Sequence, residues 1–159
     1  MNGATFSYAG FWKRFAAYLI DSILLGVLSF FVLIPLVAML GIVGSEMSSM
    51  EYEPEDATAM IAGFIGAYLM FMLVITVGTW LYFALMESSK NQGTLGKMAL
   101  GIKVTDLQGN RITFGRATGR YFAKFISAMV LMIGYIIAGF TEKKQALHDI
   151  IASCMVVNK

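Results

Sequence analysis

The chain has 159 residues, 58% of them hydrophobic and 14% charged, with a formal net charge of +2. Soluble domains carry about 25% charged residues, so the composition weighs against a freely soluble fold and is consistent with one compact membrane domain. A single cysteine, Cys154, excludes an internal disulfide and a cysteine metal cluster.

In chain order, residues 1–14 form a short head ending in Lys13 and Arg14. The run that follows, about 15–43, has Asp21 as its one charge and Pro35 inside it, and is expected to be a first transmembrane helix, kinked in its second half. It is longer than a signal-peptide core and is expected to be retained. Residues 44–56 form a polar loop with Glu46, Glu51, Glu53, Glu55 and Asp56 and no Lys or Arg. The run at about 57–86 has no charge at all and is long enough for a second span. Ala59, Gly63 and Ala67 give it a small-residue stripe suited to close helix packing.

Residues 87–124 carry seven basic side chains: Lys90, Lys97, Lys103, Arg111, Arg116, Arg120 and Lys124. Lys and Arg in short loops mark the cytoplasmic side. The N-terminus and 87–124 are therefore expected inside the cell and 44–56 outside. Within 87–124, Ile102 and Val104 alternate with Lys103 and Thr105, and Ile112 and Phe114 with Arg111 and Thr113. Gln108-Gly109-Asn110 supplies turn chemistry, so a cytoplasmic β-hairpin is expected over 101–115. Arg116, Arg120 and Lys124 then recur every four residues. They are expected on one face of an amphipathic helix, contacting anionic lipid headgroups or snorkelling at a helix end. A third apolar run, 125–140, is slightly short for a span. It reads as a plain crossing, marginally ahead of a re-entrant hairpin bent at Gly134 and Gly139. The tail is 141–159.

Asp21 is the most informative residue. A carboxylate at the centre of a membrane helix costs about 2.5–3.5 kcal/mol on insertion scales, so it needs a partner or a task. Arg14 lies two turns earlier, nearly on the same face. Asp21 reads either as a packing residue tied to a buried Arg or as a proton or cation site. His148-Asp149 is a second constellation: the lone histidine could titrate near neutral pH and relay a proton, or serve as a capped interface residue.

These motifs resemble the RDD family of small membrane proteins. Gly10-Phe11-Trp12-Lys13-Arg14-Phe15-Ala16-Ala17-Tyr18-Leu19-Ile20-Asp21 resembles its opening and Gly93-Thr94-Leu95-Gly96-Lys97-Met98-Ala99-Leu100-Gly101-Ile102-Lys103-Val104 its central segment. Gly115-Arg116 to Arg120 resembles its arginine-bearing helix, and Leu147-His148-Asp149-Ile150-Ile151-Ala152 its closing segment. The Arg and two Asp of the family name fall on Arg14, Asp21 and Asp149. Ser153-Cys154 departs from the Gly-Thr common in the family. The resemblance implies a bacterial or archaeal cell membrane protein and points to transport, including sodium–proton exchange. It also suggests that the three charges meet at the cytoplasmic edge, with Arg14 serving both carboxylates.

Other motifs carry no chemistry. Gly93-x-x-Gly96-Lys97-Met98 lacks the spacing of a phosphate loop. One histidine gives no convincing Ser–His–Asp set, and twelve methionines read as flexible packing rather than a metal path. The sequence-level expectation is an all-α membrane bundle with a small cytoplasmic hairpin. It has no catalytic site, metal or cofactor and no nucleic-acid partner. It would act as a homo-oligomer in cation/proton exchange with Na+ or H+; the alternative is a non-transporting scaffold or regulatory module.

Overall fold

The computed structural model describes residues 6–48, 54–129 and 133–159. Two long helices dominate it: α1, Phe11–Ser48, and α2, Pro54–Ser88. Both exceed the expected runs at each end, and α1 continues through Pro35. At 1.5 Å per residue each is longer than a bilayer core of about 30 Å. The expected outside loop 44–56 is thereby shortened; residues 49–53 lie outside the described residues.

The chain divides into two units. Residues 24–79 are one. Among its described residues it carries no charge from 24 to 45 or from 58 to 79, and its apolar side chains are exposed all round, among them Phe31, Leu28, Leu69 and Met70. A helix apolar on every side is at home in hydrocarbon. Two helices among the described residues are long and apolar enough to cross a membrane.

The other unit comprises 6–23 and 80–159. Besides the start of α1 and the end of α2 it holds α3, Leu95–Ala99, which Gly101 stops in the left-handed region at φ 64°, its N–H donating to the Met98 carbonyl at 3.1 Å. Strand β1, Ile102–Asp106, follows where the alternation placed it. Asp106 closes the expected turn, accepting from the backbone N–H of Gln108 and Asn110 at 2.9 and 2.8 Å. The partner strand differs from the expected one. β1 pairs antiparallel with β2, Cys154–Asn158, from the tail, with Val104 opposite Val156. The segment 111–114 instead leads into α4, Phe114–Met129, and buries Ile112. On its other edge β2 meets the head, with Tyr8 bridged to Val157 and the Ala9 N–H on the Val156 carbonyl at 2.9 Å. The tail strand is thus central, which is why Cys154 to Val157 are all buried. Ile102, Val104, Ile112, Val156, Cys154 and four alanines form the core.

The third apolar run does not continue as one helix. After α4 come α5, Ile133–Ile136, and a single 3₁₀ turn, Ile137–Gly139; residues 130–132 lie outside the described residues. A Cβ on Gly134 would stand 2.8 Å from Ser127 Cα, and Tyr135 Oη donates to the Lys124 carbonyl at 3.2 Å. The chain therefore doubles back along α4 over this run, in place of a plain third crossing. Helix α6, Leu147–Ile151, then packs against α4.

Ser153, between α6 and β2, has φ 50°, a conformation that costs an L-residue roughly 1–2 kcal/mol. This is where the family-like glycine would sit. Ser153→Gly is expected to raise the unfolding midpoint in detergent by the equivalent of about 0.5–1 kcal/mol, after the added freedom of the unfolded chain is subtracted. An unchanged or lower midpoint would contradict the strain at this position.

Candidate functional site

Two polar centres lie in the unit of 6–23 and 80–159. The first surrounds Asp21, 1% exposed. Its Oδ1 accepts from Tyr82 Oη and from the Gly96 N–H, each at 2.8 Å, and its Oδ2 accepts from Thr94 Oγ1 at 2.5 Å. Tyr82 Oη in turn accepts the Leu95 N–H at 3.0 Å. Three neutral donors thus satisfy this carboxylate. The Thr94-Leu95-Gly96 sequence serves it directly: Thr94 turns its hydroxyl to Asp21 in place of capping its own helix. A Cβ on Gly96 would overlap the Ala17 carbonyl oxygen and stand 3.0 Å from Asp21 Cγ. Only glycine lets α3 approach α1 this closely.

The second centre is a chain of alternating charges. Arg14 Nη1 pairs with Asp149 Oδ2. Asp149 Oδ1 accepts from Arg120 Nε at 2.7 Å, and Arg120 Nη1 donates to Glu87 Oε2 at 2.7 Å. Lys97 Nζ reaches Glu87 Oε1 at 2.5 Å. Asp149 also accepts the Ala146 N–H at 3.2 Å, which caps α6, and Arg14 Nε donates to the Ala9 carbonyl at 3.0 Å. Asp149, Glu87 and Arg120 are 0%, 1% and 2% exposed, so these pairs are dry and each partner is needed to hold the other. Burial pushes the Asp149 carboxyl up, but the Arg120 and Arg14 guanidiniums outweigh it and hold the group well below the usual carboxylate range. For Arg120, burial is outweighed by Asp149 and Glu87, and its charge is held more firmly than usual.

Arg14 and Asp149 thus meet as expected. Asp21 is not bonded to either; it has its own shell of neutral donors, and Arg14 does not serve two carboxylates. Asp149 serves two arginines instead. Arg120, expected at the headgroup level with Arg116 and Lys124, is buried between Asp149 and Glu87, because α6 covers that face of α4. Arg116 is exposed. Lys124 sits over the Phe83 ring, 4.0 Å from its centroid, and burial lowers its pKa to about 7. Glu87 and Lys97 were not singled out by the sequence reading.

His148 lies against Ser127 and Asp149, with Nδ1 3.4 Å from Ser127 Oγ and Nε2 3.5 Å from Asp149 Oδ1. Ser127 Oγ also donates to the Ala123 carbonyl at 3.1 Å. Burial lowers the His148 pKa to about 3, against a smaller opposing pull from Asp149. The imidazole is therefore neutral around pH 7, which departs from the expected near-neutral titration. A cavity of about 440 Å³ adjoins both centres and is lined by Phe15, Tyr18, Phe83 and Tyr135 together with Arg14, Asp21, Lys97, Arg120, Lys124 and His148. Among the described residues, no group of His, Cys, Asp and Glu is placed to hold a metal ion.

The RDD family model matches residues 8–153. The chain is 43% identical to the uncharacterized protein YxaI of Bacillus subtilis (strain 168), over 95% of this chain and 97% of the relative. It is 33% identical to the uncharacterized membrane protein YteJ of the same organism, over 98% of this chain and 84% of that relative. No solved structure matches the chain.

Three outcomes are expected from this geometry. Gly96→Ala should sharply reduce recovery of folded protein, because its Cβ meets backbone rather than a movable side chain. Asp149→Asn, which takes the one carboxylate partner from Arg14 and leaves Arg120 with Glu87 alone, should destabilise by about 3–5 kcal/mol in chemical unfolding. Stability should also fall as pH drops from about 6.5 towards 3, since the unfolded chain binds a proton at His148 that the folded chain refuses. His148→Gln should flatten that part of the profile.

Proposed function

The chain belongs to the RDD family of membrane proteins, and from that premise we propose that it is a non-transporting module of the inner cell membrane, a scaffold or regulatory unit for a partner complex. It is multi-pass, with the N-terminus and residues 87–124 in the cytoplasm, and has no catalytic step of its own. The Lys and Arg distribution supports this orientation: Lys13 and Arg14 stand at the start of the first span, residues 87–124 after the second hold seven basic side chains, and none lies between 24 and 79. The exposed apolar helices of 24–79 give copies of the chain a surface on which to associate as a homo-oligomer.

The observation that carries the reading is the state of the buried carboxylates. A cation carrier needs an acidic oxygen that can exchange partners. Asp21 faces three N–H or O–H donors, whose positive ends a cation would have to displace. Glu87 and Asp149 are occupied by Lys97, Arg120 and Arg14. A second reading, cation/proton exchange with Na+ or H+, is favoured by one fact: Asp21 lines the cavity and has no cationic hydrogen-bond partner among the described residues.

Liposomes containing the purified chain and a pH-sensitive dye separate the two. The expected result is no sodium-driven proton movement above that of empty liposomes, with Asp21→Asn reducing the yield of folded protein. Sodium-driven flux that vanishes in a well-folded Asp21→Asn variant would establish exchange instead. Orientation is checked with Ser49→Cys and Lys90→Cys in intact cells; an impermeant maleimide should label the first and not the second.

A further inference from the structure

The cavity has more positive than negative charge around it. Four cations, Arg14, Lys97, Arg120 and Lys124, line it. Three carboxylates, Asp21, Glu87 and Asp149, stand against them, and Asp21 is already bonded to neutral donors. Two of the cations have unused capacity. Arg14 Nη2 is buried and has no hydrogen-bond partner among the described residues. Lys124 forms no ion pair among them; its ammonium rests on the rings of Phe83 and Tyr121 at 4.0 and 5.8 Å. An ammonium without a carboxylate partner beside a cavity has a phosphate oxygen as a natural complement.

The rest of the lining is mainly apolar and aromatic. Phe15, Tyr18 and Ile136 belong to it and are also 43%, 58% and 48% exposed, so this wall continues onto a surface apolar enough to face lipid. A volume of about 440 Å³ is within the usual range for a small-molecule site, where a few polar groups set orientation in an apolar pocket. It suits a headgroup and the first part of a chain, with the remainder left in the bilayer. We propose that this cavity binds one anionic phospholipid, its phosphate accepting from Lys124 within the positive field of Arg14, Lys97 and Arg120, and its glycerol and upper acyl chain lying against Phe15, Tyr18 and Ile136.

Bound lipid would offset the surplus positive charge. Burial holds the Lys124 ammonium close to losing its proton, and a neighbouring anion would restore it. Lipid would therefore complete the charged centre from the membrane side. This inference does not depend on whether ions cross, because binding is read without any flux.

The test uses the full chain in a neutral detergent. Thermal unfolding and native mass spectrometry are followed with added phosphatidylglycerol, phosphatidylcholine or inorganic phosphate. Phosphatidylglycerol is expected to raise the unfolding temperature and to leave one lipid per chain in the mass spectrum. Phosphatidylcholine and phosphate at equal concentration should do neither. Lys124→Met, which keeps an apolar stem over Phe83, should weaken phosphatidylglycerol binding about tenfold while the lipid-free protein stays folded. Arg116→Gln, on the exposed face, should change it less than twofold. Equal stabilisation by phosphatidylcholine, whose phosphate is offset by its choline cation, would mean that the site does not select for net negative charge. Equal stabilisation by phosphate would mean a free-anion site. Equal losses in Lys124→Met and Arg116→Gln would mean general surface attraction. Any of these three results overturns the proposal.

Discussion

Arg120 donates through opposite sides of one guanidinium to Asp149 and to Glu87, and the architecture of the polar unit depends on that fork. Asp149 lies in the tail, Glu87 at the end of α2 and Arg120 in α4. Arg14 extends the same chain to α1 and Lys97 extends it to α3. Five elements far apart in sequence are therefore joined by one run of dry, alternating charges. A planar, always-charged guanidinium is suited to this, since it can engage two carboxylates without losing its proton. Lysine could offer neither the geometry nor the same resistance to burial.

The two buried acids show different solutions to one problem. Asp149 is neutralised by opposite charge, so its removal strands Arg14 and leaves Arg120 with Glu87 alone. Asp21 is neutralised by dipoles: a phenol, a hydroxyl and a backbone N–H. A carboxylate held by oriented neutral donors needs no counter-ion. This also accounts for the glycine at 96, because the N–H reaches the carboxylate only if the backbone itself comes close. The tail strand adds a second tie, since β2 lies between β1 and the head and draws both ends of the chain into one core. Charge and sheet act on the same segments, which leaves 24–79 free to present only apolar surface.

Much of this was legible in the sequence. The two long helices follow from two long apolar runs that hold a single charge, Asp21, between them. Strand β1 follows from its alternation, and the meeting of Arg14 with Asp149 from the family resemblance. The partner of β1 was not legible: 111–114 alternates, 154–157 is a continuous apolar run that does not distinguish strand from helix, and adjacency in sequence favours the nearer segment. Arg120 was misplaced because a four-residue spacing gives a shared helix face but not what covers it. The signal was present in Ala117, Arg120, Ala123 and Ser127, the buried stripe of α4, where small residues flank one arginine at helical spacing. Glu87 was overlooked because it directly follows an apolar run and reads as the first residue of a loop. Nothing local marks it as the partner of Lys97 and Arg120. The pairing of Asp21 with Thr94 and Gly96 spans more than seventy residues and no periodicity encodes it.

The central claim is that Arg120 couples the tail to α2 through shared, desolvated charge. The most direct measurement is a double-mutant cycle on the stability of the purified chain, with Glu87→Gln, Asp149→Asn and both together. If one guanidinium joins the two carboxylates, the second removal leaves Arg120 without any partner. The double variant should then lose more than the sum of the single losses, by about 1 kcal/mol or more. Losses that add to within about 0.5 kcal/mol would show two independent sites and contradict the claim.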